Sequence, residues 1–306
     1  MAQWSRWSKL WLAASVLAIG HASAQQPAAP AAATPVWSVT EGMDSPESAF
    51  FDPASGFVFV SQIGGQAAAR DGNGRISKLR PDGSVVDASW VKSGLNAPKG
   101  LRVFRGRLYA ADLDEVVGID VGDGRVTSRV KVDIGGDGKF LNDLDIASDG
   151  TIYTSDSFGN RIFAIKDGRV SLFFEGDAIL LPNGVLVDGR RLIVASDGRP
   201  ARGGTGTPAR LVAIDLRSKQ LRQINTDAIG TPDGVEKDGH GGYLVSDVAG
   251  GRLIQVAANG SVKVLRQIAS SSADISLDPK TGLVFVPHLN LNRVSAYKVE
   301  ELASAR

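Results

Sequence analysis

The chain has 306 residues, of which 43% are hydrophobic and 22% charged, with 36 glycines and a formal net charge of +1. A near-neutral balance provides no basic field for nucleic acid. The absence of cysteine excludes disulfides, thiolate metal centres and cysteine nucleophiles, and His21, His240 and His288 are too few for a histidine-built zinc site.

Residues 1–24 read as an export signal. Arg6 and Lys9 give a positive start, Leu10 to Ile19 an apolar stretch, and Ala22-Ser23-Ala24 a small-residue cleavage site. A transmembrane anchor is the rival reading, but an apolar run of about ten residues falls short of the roughly 20 needed to span. Residues 25–35 form a Pro/Ala linker. Residues 36–300 are expected to fold as one domain and 301–306 to form a tail. The mature protein is expected to be periplasmic or secreted, monomeric and not inserted in a membrane.

From residue 46 onward one pattern returns six times. The copies open at Pro46-Glu47-Ser48, Pro98-Lys99-Gly100, Leu141-Asn142-Asp143, Pro182-Asn183-Gly184, Pro232-Asp233-Gly234 and Ser272-Ala273-Asp274. Each runs into an apolar strand, a turn such as Asp149-Gly150, a second strand often ending in Ser-Asp, and a third strand that begins with Arg in most copies. A period of roughly 45 residues with strand-like alternation predicts an all-β, six-bladed β-propeller with four antiparallel strands per blade. The last copy has only three strands before the chain ends. Val36-Trp37-Ser38-Val39-Thr40 is predicted to complete that blade and close the ring.

In a propeller the residue opening each innermost strand lies at the rim of the central channel. Those residues are Glu47, Lys99, Asn142, Asn183, Asp233 and Ala273. Singly, Pro-Asn-Gly and Pro-Asp-Gly read as turns. Their shared register makes the side chains converge, and convergent buried carboxylates are costly without a cation. Two carboxylates and two carboxamides suit a hard divalent ion, Ca²⁺ before Mg²⁺.

At these positions the chain resembles the senescence-marker-protein (regucalcin) and gluconolactonase family, within the wider group of calcium propeller hydrolases that includes paraoxonases and diisopropylfluorophosphatase. The likeness spans residues 36–300 and rests on Pro46-Glu47, Phe140-Leu141-Asn142-Asp143, Leu181-Pro182-Asn183-Gly184-Val185 and Thr231-Pro232-Asp233-Gly234-Val235. It implies Glu47, Asn183 and Asp233 as Ca²⁺ ligands, with Asn142 a fourth ligand or a substrate contact. The chain departs from the family pattern at Ser48-Ala49, where Gly-Pro is usual, and at Phe140, where a basic residue is usual.

The resemblance implies hydrolysis of a small lactone or ester, with the cation polarising the carbonyl and a neighbouring carboxylate taking a proton from water. Asp233, Asp143 and Asp274 are candidates for that base, and the last two read equally well as turn residues. Lys99 either contacts substrate or points away from the ion. Arg70, Arg199 and Arg202 stand on Gly-rich loops at 62–74 and 198–208, where they either bind an anionic group or are simply solvated. His288 is expected to be packed, and the Ser155-Asp156, Ser196-Asp197 and Ser246-Asp247 pairs are expected to be Asx turns. Gly135 to Lys139 fails as a phosphate loop because Phe140 follows, and no serine-nucleophile elbow is present. Phosphotriester hydrolysis and a non-catalytic ligand- or protein-binding propeller with a structural cation are the competing readings. Nothing calls for an organic cofactor.

Overall fold

The computed structural model describes residues 32–300 except 137 and 200–205, so the expected export signal, most of the expected linker, Arg202 and the tail lie outside the described residues. After strand β1 (Trp37–Val39), blade one consists of β2 (Pro46–Asp52), β3 (Phe57–Gln62), β4 (Gly74–Leu79) and β5 (Val85–Leu95). Blade two holds β6 (Pro98–Phe104), β7 (Arg107–Asp112), β8 (Glu115–Asp120) and β9 (Val126–Lys131). Blade three holds β10 (Leu141–Ile146), β11 (Ile152–Asp156), β12 (Arg161–Lys166) and β13 (Arg169–Glu175). Blade four holds β14 (Pro182–Asp188), β15 (Arg191–Ser196), β16 (Arg210–Asp215) and β17 (Leu221–Gln223). Blade five holds β18 (Pro232–Lys237), β19 (Tyr243–Asp247), β20 (Arg252–Val256) and β21 (Val262–Gln267). Blade six ends the chain with β22 (Ser276–Asp278), β23 (Leu283–His288) and β24 (Arg293–Lys298).

Each blade is a four-stranded antiparallel sheet, and β1 is the outermost strand of blade six, pairing Trp37 with Ala296. The predicted six-bladed propeller and its N-terminal closing strand are both present. Each innermost strand lies against that of the next blade. Between blades six and one the ring closes through a parallel Ser48–Asp274 bridge, with the Asp274 amide donating to the Glu47 carbonyl at 2.9 Å.

The core is divided among the blade interfaces. One apolar cluster fills each junction, such as Leu186, Ile193 and Leu211 of blade four against Val235, Val245 and Ile254 of blade five. Middle strands are therefore buried on both faces, as in β11, and a polar alternation survives only in outer strands such as β13. The sequence reading expected alternation in nearly every strand. Packing on both sides of each blade is the reason for the difference.

Trp37 ties the ends together. Its indole N–H donates to the Pro81 carbonyl of blade one at 2.8 Å, its ring lies 6.0 Å from Phe285 of blade six, and it rests on Gly83. A β-carbon at Gly83 would stand 2.7 Å from that ring. Trp37→Ala is expected to cost about 2–3 kcal/mol, less than a fully buried Trp because this one is half-buried. Deleting residues 36–41 is expected to abolish soluble folding. Thermal melting and expression of the two variants check both, and an unchanged melt for the deletion would refute closure by β1.

Candidate metal centre at the channel mouth

The rim residues are aimed by a repeated irregularity. Strand register shifts between Pro46 and Ser48, Pro98 and Leu101, Leu141 and Leu144, Pro182 and Val185, and Pro232 and Val235. Such bulges re-aim a side chain, and here each contains the rim residue. The repeated Ser-Asp pairs hold the bulges in place. Ser155 Oγ accepts from the Asp143 amide at 3.0 Å and donates to the Asn183 carbonyl of the next blade at 2.7 Å. Ser246 Oγ does the same between the Gly234 amide and the Ala273 carbonyl. Asp156 accepts from the Phe140 amide and Asp247 from the Thr231 amide, bracing the entry to the inner strand. The expected turns are there at Asp156 and Asp247, through Gly159 and Gly250, and these two pairs also fix rim geometry, whereas Asp197 accepts from Arg199 and Ser196 donates to the Leu180 carbonyl.

Glycine follows Asn183 because the blades approach closely there: a β-carbon on Gly184 would stand 2.0 Å from the Asp233 carbonyl.

Glu47, Asn142 and Asp233 are 5%, 8% and 6% exposed, and Asn183 is half-buried. Each carries a buried oxygen with no hydrogen-bond partner: Glu47 Oε2, Asn142 Oδ1, Asn183 Oδ1 and Asp233 Oδ1. The Asn142 amide orientation follows from its neighbour. The Ser157 hydroxyl is committed to the Pro182 carbonyl at 2.7 Å, so it can only accept from Asn142 Nδ2 at 3.2 Å, which leaves the carboxamide oxygen free. Orphaned buried acceptors are rare in folded proteins. Four of them, on four different blades at one repeat position, form a donor set of the kind a hard cation takes.

Among the described residues no group of three or more His, Cys, Asp or Glu side chains could hold a metal. That is consistent with this site, in which two of the four donors are carboxamides.

The electrostatics point the same way. Burial raises the Glu47 carboxyl well above its usual range, followed by repulsion from Asp233 and Asp274, while Lys99 pulls it down. Burial and then Asp274 raise Asp233, opposed by Asn183 beside it.

A second charged layer lies deeper and was missed in the sequence. Arg102, Asp145 and Glu236 stand three residues beyond Lys99, Asn142 and Asp233 in their inner strands, and that shared offset was the available signal. Arg102 lies 3.1 Å from Glu236, 3.6 Å from Asp145 and 4.0 Å from Asp274. Burial opposes its charge, but Glu236, Asp143, Asp274 and Asp145 outweigh it and keep the guanidinium protonated. Burial pushes Glu236 up to about 7, with Arg102 pulling the other way.

The remaining candidates separate clearly. Asp143 uses Oδ1 for the Leu144 amide and Oδ2 for the Val185 amide of blade four, so it fastens two blades together. Asp274, not Ala273, carries the polar group of blade six; it accepts from Ser48 Oγ at 2.6 Å and keeps Oδ1 free. Lys99 is 1% exposed, donates to the Ala97 carbonyl at 2.9 Å and lies 4.3 Å over the Phe140 ring. Burial lowers its pKa to about 8, against the pull of Glu47 and Asp112. Arg70 pairs with Asp114 and Arg199 with Asp197. His288 is fully buried between the Ser270 carbonyl and the Tyr297 hydroxyl, and burial lowers it to about 4. A cavity of about 480 Å³ in blades four and five, lined by Arg191, Asp215 and Arg222 among others, includes no rim residue.

A six-bladed propeller with an oxygen-rich, orphan-bearing mouth is the class that fold and site define. No family model matches the sequence, and no curated protein matches it. Solved structures do share the fold. A gluconolactonase of Xanthomonas campestris is 18% identical with a TM-score of 0.62, covering 83% of this chain and 86% of that one. A second protein, assigned as a gluconolactonase, gives 17%, 0.64, 89% and 93%. Virginiamycin B lyase from Staphylococcus aureus gives 12%, 0.58, 85% and 97%.

A carboxyl whose pKa is raised by folding binds its proton more tightly folded than unfolded, so its contribution to stability falls as pH rises towards the folded value. For Glu236 that window ends at about 7, and Glu47, Asp143 and Asp233 act with the same sign. Above pH 6.5 His288 is mostly neutral folded or unfolded, and Lys99 starts to lose its proton only near 8. Chelated protein is therefore expected to melt progressively lower as pH rises from about 6.5 through about 7, with added Ca²⁺ reversing the decline. Asp233→Asn is expected to raise the melting temperature of chelated protein and to abolish the Ca²⁺-induced shift. A flat profile, or a variant that keeps the shift, would contradict the reading of the mouth as an ion site.

Proposed function

We propose that this chain is an exported, Ca²⁺-dependent hydrolase of a small lactone or ester. The observation that carries the proposal is the set of four orphaned oxygens of Glu47, Asn142, Asn183 and Asp233 at one buried rim. Their mix of charged and neutral oxygens suits Ca²⁺, and export would place the protein where weak calcium sites can fill. The fold shared with gluconolactonases adds support for a lactone.

When bound, the cation would polarise the substrate carbonyl and stabilise the charge that develops on its oxygen. Glu47 and Asp233 hold it by charge, and Asn142 and Asn183 by their amide oxygens. Asp233 is the proposed proton acceptor for the attacking water, through the carboxylate oxygen not given to the cation, because it stands at the rim while Asp143 has both oxygens occupied. Asp274 lies deeper, 1% exposed, and is held by Ser48. The proton taken by Asp233 is returned to the leaving alkoxide as the ester bond breaks. Lys99 helps keep Glu47 ionised, since its ammonium acts against the burial that raises the carboxyl.

Purified protein assayed on a lactone and ester panel is expected to show turnover that chelator abolishes and Ca²⁺ restores. Glu47→Gln and Asp233→Ala should each lower kcat/KM by about 100-fold or more. Calcium-dependent melting without turnover of any substrate, phosphotriesters included, would reject the enzyme in favour of a binding propeller.

A further inference from the structure

The metal face is apolar on one side of the mouth. Connections between second and third strands open on the rim, and in blade three this connection is the short 3₁₀ turn Ser157–Gly159. Ser157 holds the Asn142 amide, so Phe158 is the next residue in the chain after one that touches a proposed ligand. Phe158 is 45% exposed and stacks on Phe140, with ring centroids 4.5 Å apart and planes inclined by 25°. A large aromatic ring left half in water gains nothing for the fold that burial would not improve.

Phe140 in turn roofs Lys99, whose ammonium is spent on the Ala97 carbonyl and the ring face. Ile63, Ala97 and Leu113 form a separate buried cluster on which Leu289 packs, and exposed Leu291 follows in the corresponding turn of blade six.

Among the described residues, the candidate cations for an anionic substrate are already engaged. Arg70 is paired with Asp114, Arg199 with Asp197, and Lys99 is buried.

We infer that the substrate is uncharged and presents a flat apolar or aromatic substituent to the Phe140–Phe158 wall, so the site favours aryl- or alkyl-substituted lactones over polyhydroxylated ones. This deepens the proposed hydrolase reading and rests on it. A ring stacked against Phe158 buries two hydrophobic faces at once, whereas a polyol placed there would lose water without gaining hydrogen bonds.

The test compares a phenyl-substituted γ-lactone with a sugar lactone, both in Ca²⁺, for wild type, Phe158→Ala and Phe158→Leu. Binding of the matching unreactive lactams is measured alongside. The phenyl lactone is expected to be preferred in kcat/KM by about tenfold or more. Phe158→Ala should remove most of that preference through KM and weaken the phenyl lactam equally, and Phe158→Leu should restore part of both. Because Phe158 is half-exposed, its loss leaves the fold intact, which a melting curve verifies. Equal or better turnover of the sugar lactone, or a preference unaffected by Phe158→Ala, overturns the inference while leaving the hydrolase reading standing. If neither lactone is hydrolysed the hydrolase reading fails, and the lactams then decide. Phe158-dependent binding of the phenyl lactam upholds the apolar wall, and absent or Phe158-independent binding removes it.

Discussion

Six carboxylates, Glu47, Asp143, Asp145, Asp233, Glu236 and Asp274, line a channel in which Lys99 and Arg102 are the buried counter-charges among the described residues, with the more exposed Lys237 acting on Asp145 and Glu236. Fully ionised, the six would outnumber the buried cations by four in a site largely shielded from water. Removing even one uncompensated ion from water costs several kcal/mol. Two remedies exist: protonation, which the raised carboxyls display, or a divalent cation. The acids at the top of the channel are the ones whose free oxygens come with carboxamide neighbours, so that is where an ion relieves the most repulsion.

Holding such a set together requires a stiff scaffold around it, and the division of the core among six blade junctions supplies one. Every inner strand is backed by apolar packing on both sides, so its bulge cannot relax outward without opening an interface. The Ser-Asp pairs then set position at hydrogen-bond precision, with Ser155 and Ser246 each spanning two blades. Gly184 permits the close backbone approach that brings Asn183 beside Asp233. Stability and site geometry thus draw on the same residues, and a change in one of these serines would be felt at the rim before it was felt in the core.

Period, turn residues and the missing twenty-fourth strand made the propeller and its closure legible in the sequence, because each depends on local patterns. The rim residues were legible for a different reason: the repeat fixes their register, so Glu47, Asn142, Asn183 and Asp233 fell at one level without any knowledge of contacts. What failed was depth. Arg102, Asp145 and Glu236 lie beyond a bulge, which breaks simple alternation and disguises which face a side chain takes. Asp143 read as a possible base because its two backbone partners, one of them on the next blade, are invisible in a linear chain. Blade six was aligned correctly, since Ser272 pairs with His288 as the residue before each other rim position pairs with its second strand, but Ala273 offers no polar group and the acid of this blade, Asp274, stands one residue further on.

With the proposed ion at the top, the lower layer explains why one would be enough. Arg102 sits among Asp145, Glu236 and Asp274 and remains charged against its own burial, so it acts as a covalently attached cation for the inner half of the channel. Lys99 cannot play that part at the mouth. Its ammonium is tied to the Ala97 carbonyl beneath the Phe140 ring, and burial has already brought it close to losing its proton. A fixed guanidinium below and a yielding ammonium to one side leave the remaining charge imbalance at Glu47 and Asp233. An exchangeable cation is the species that can satisfy two carboxylates there while keeping an open face towards solvent, as catalysis on an incoming carbonyl would require.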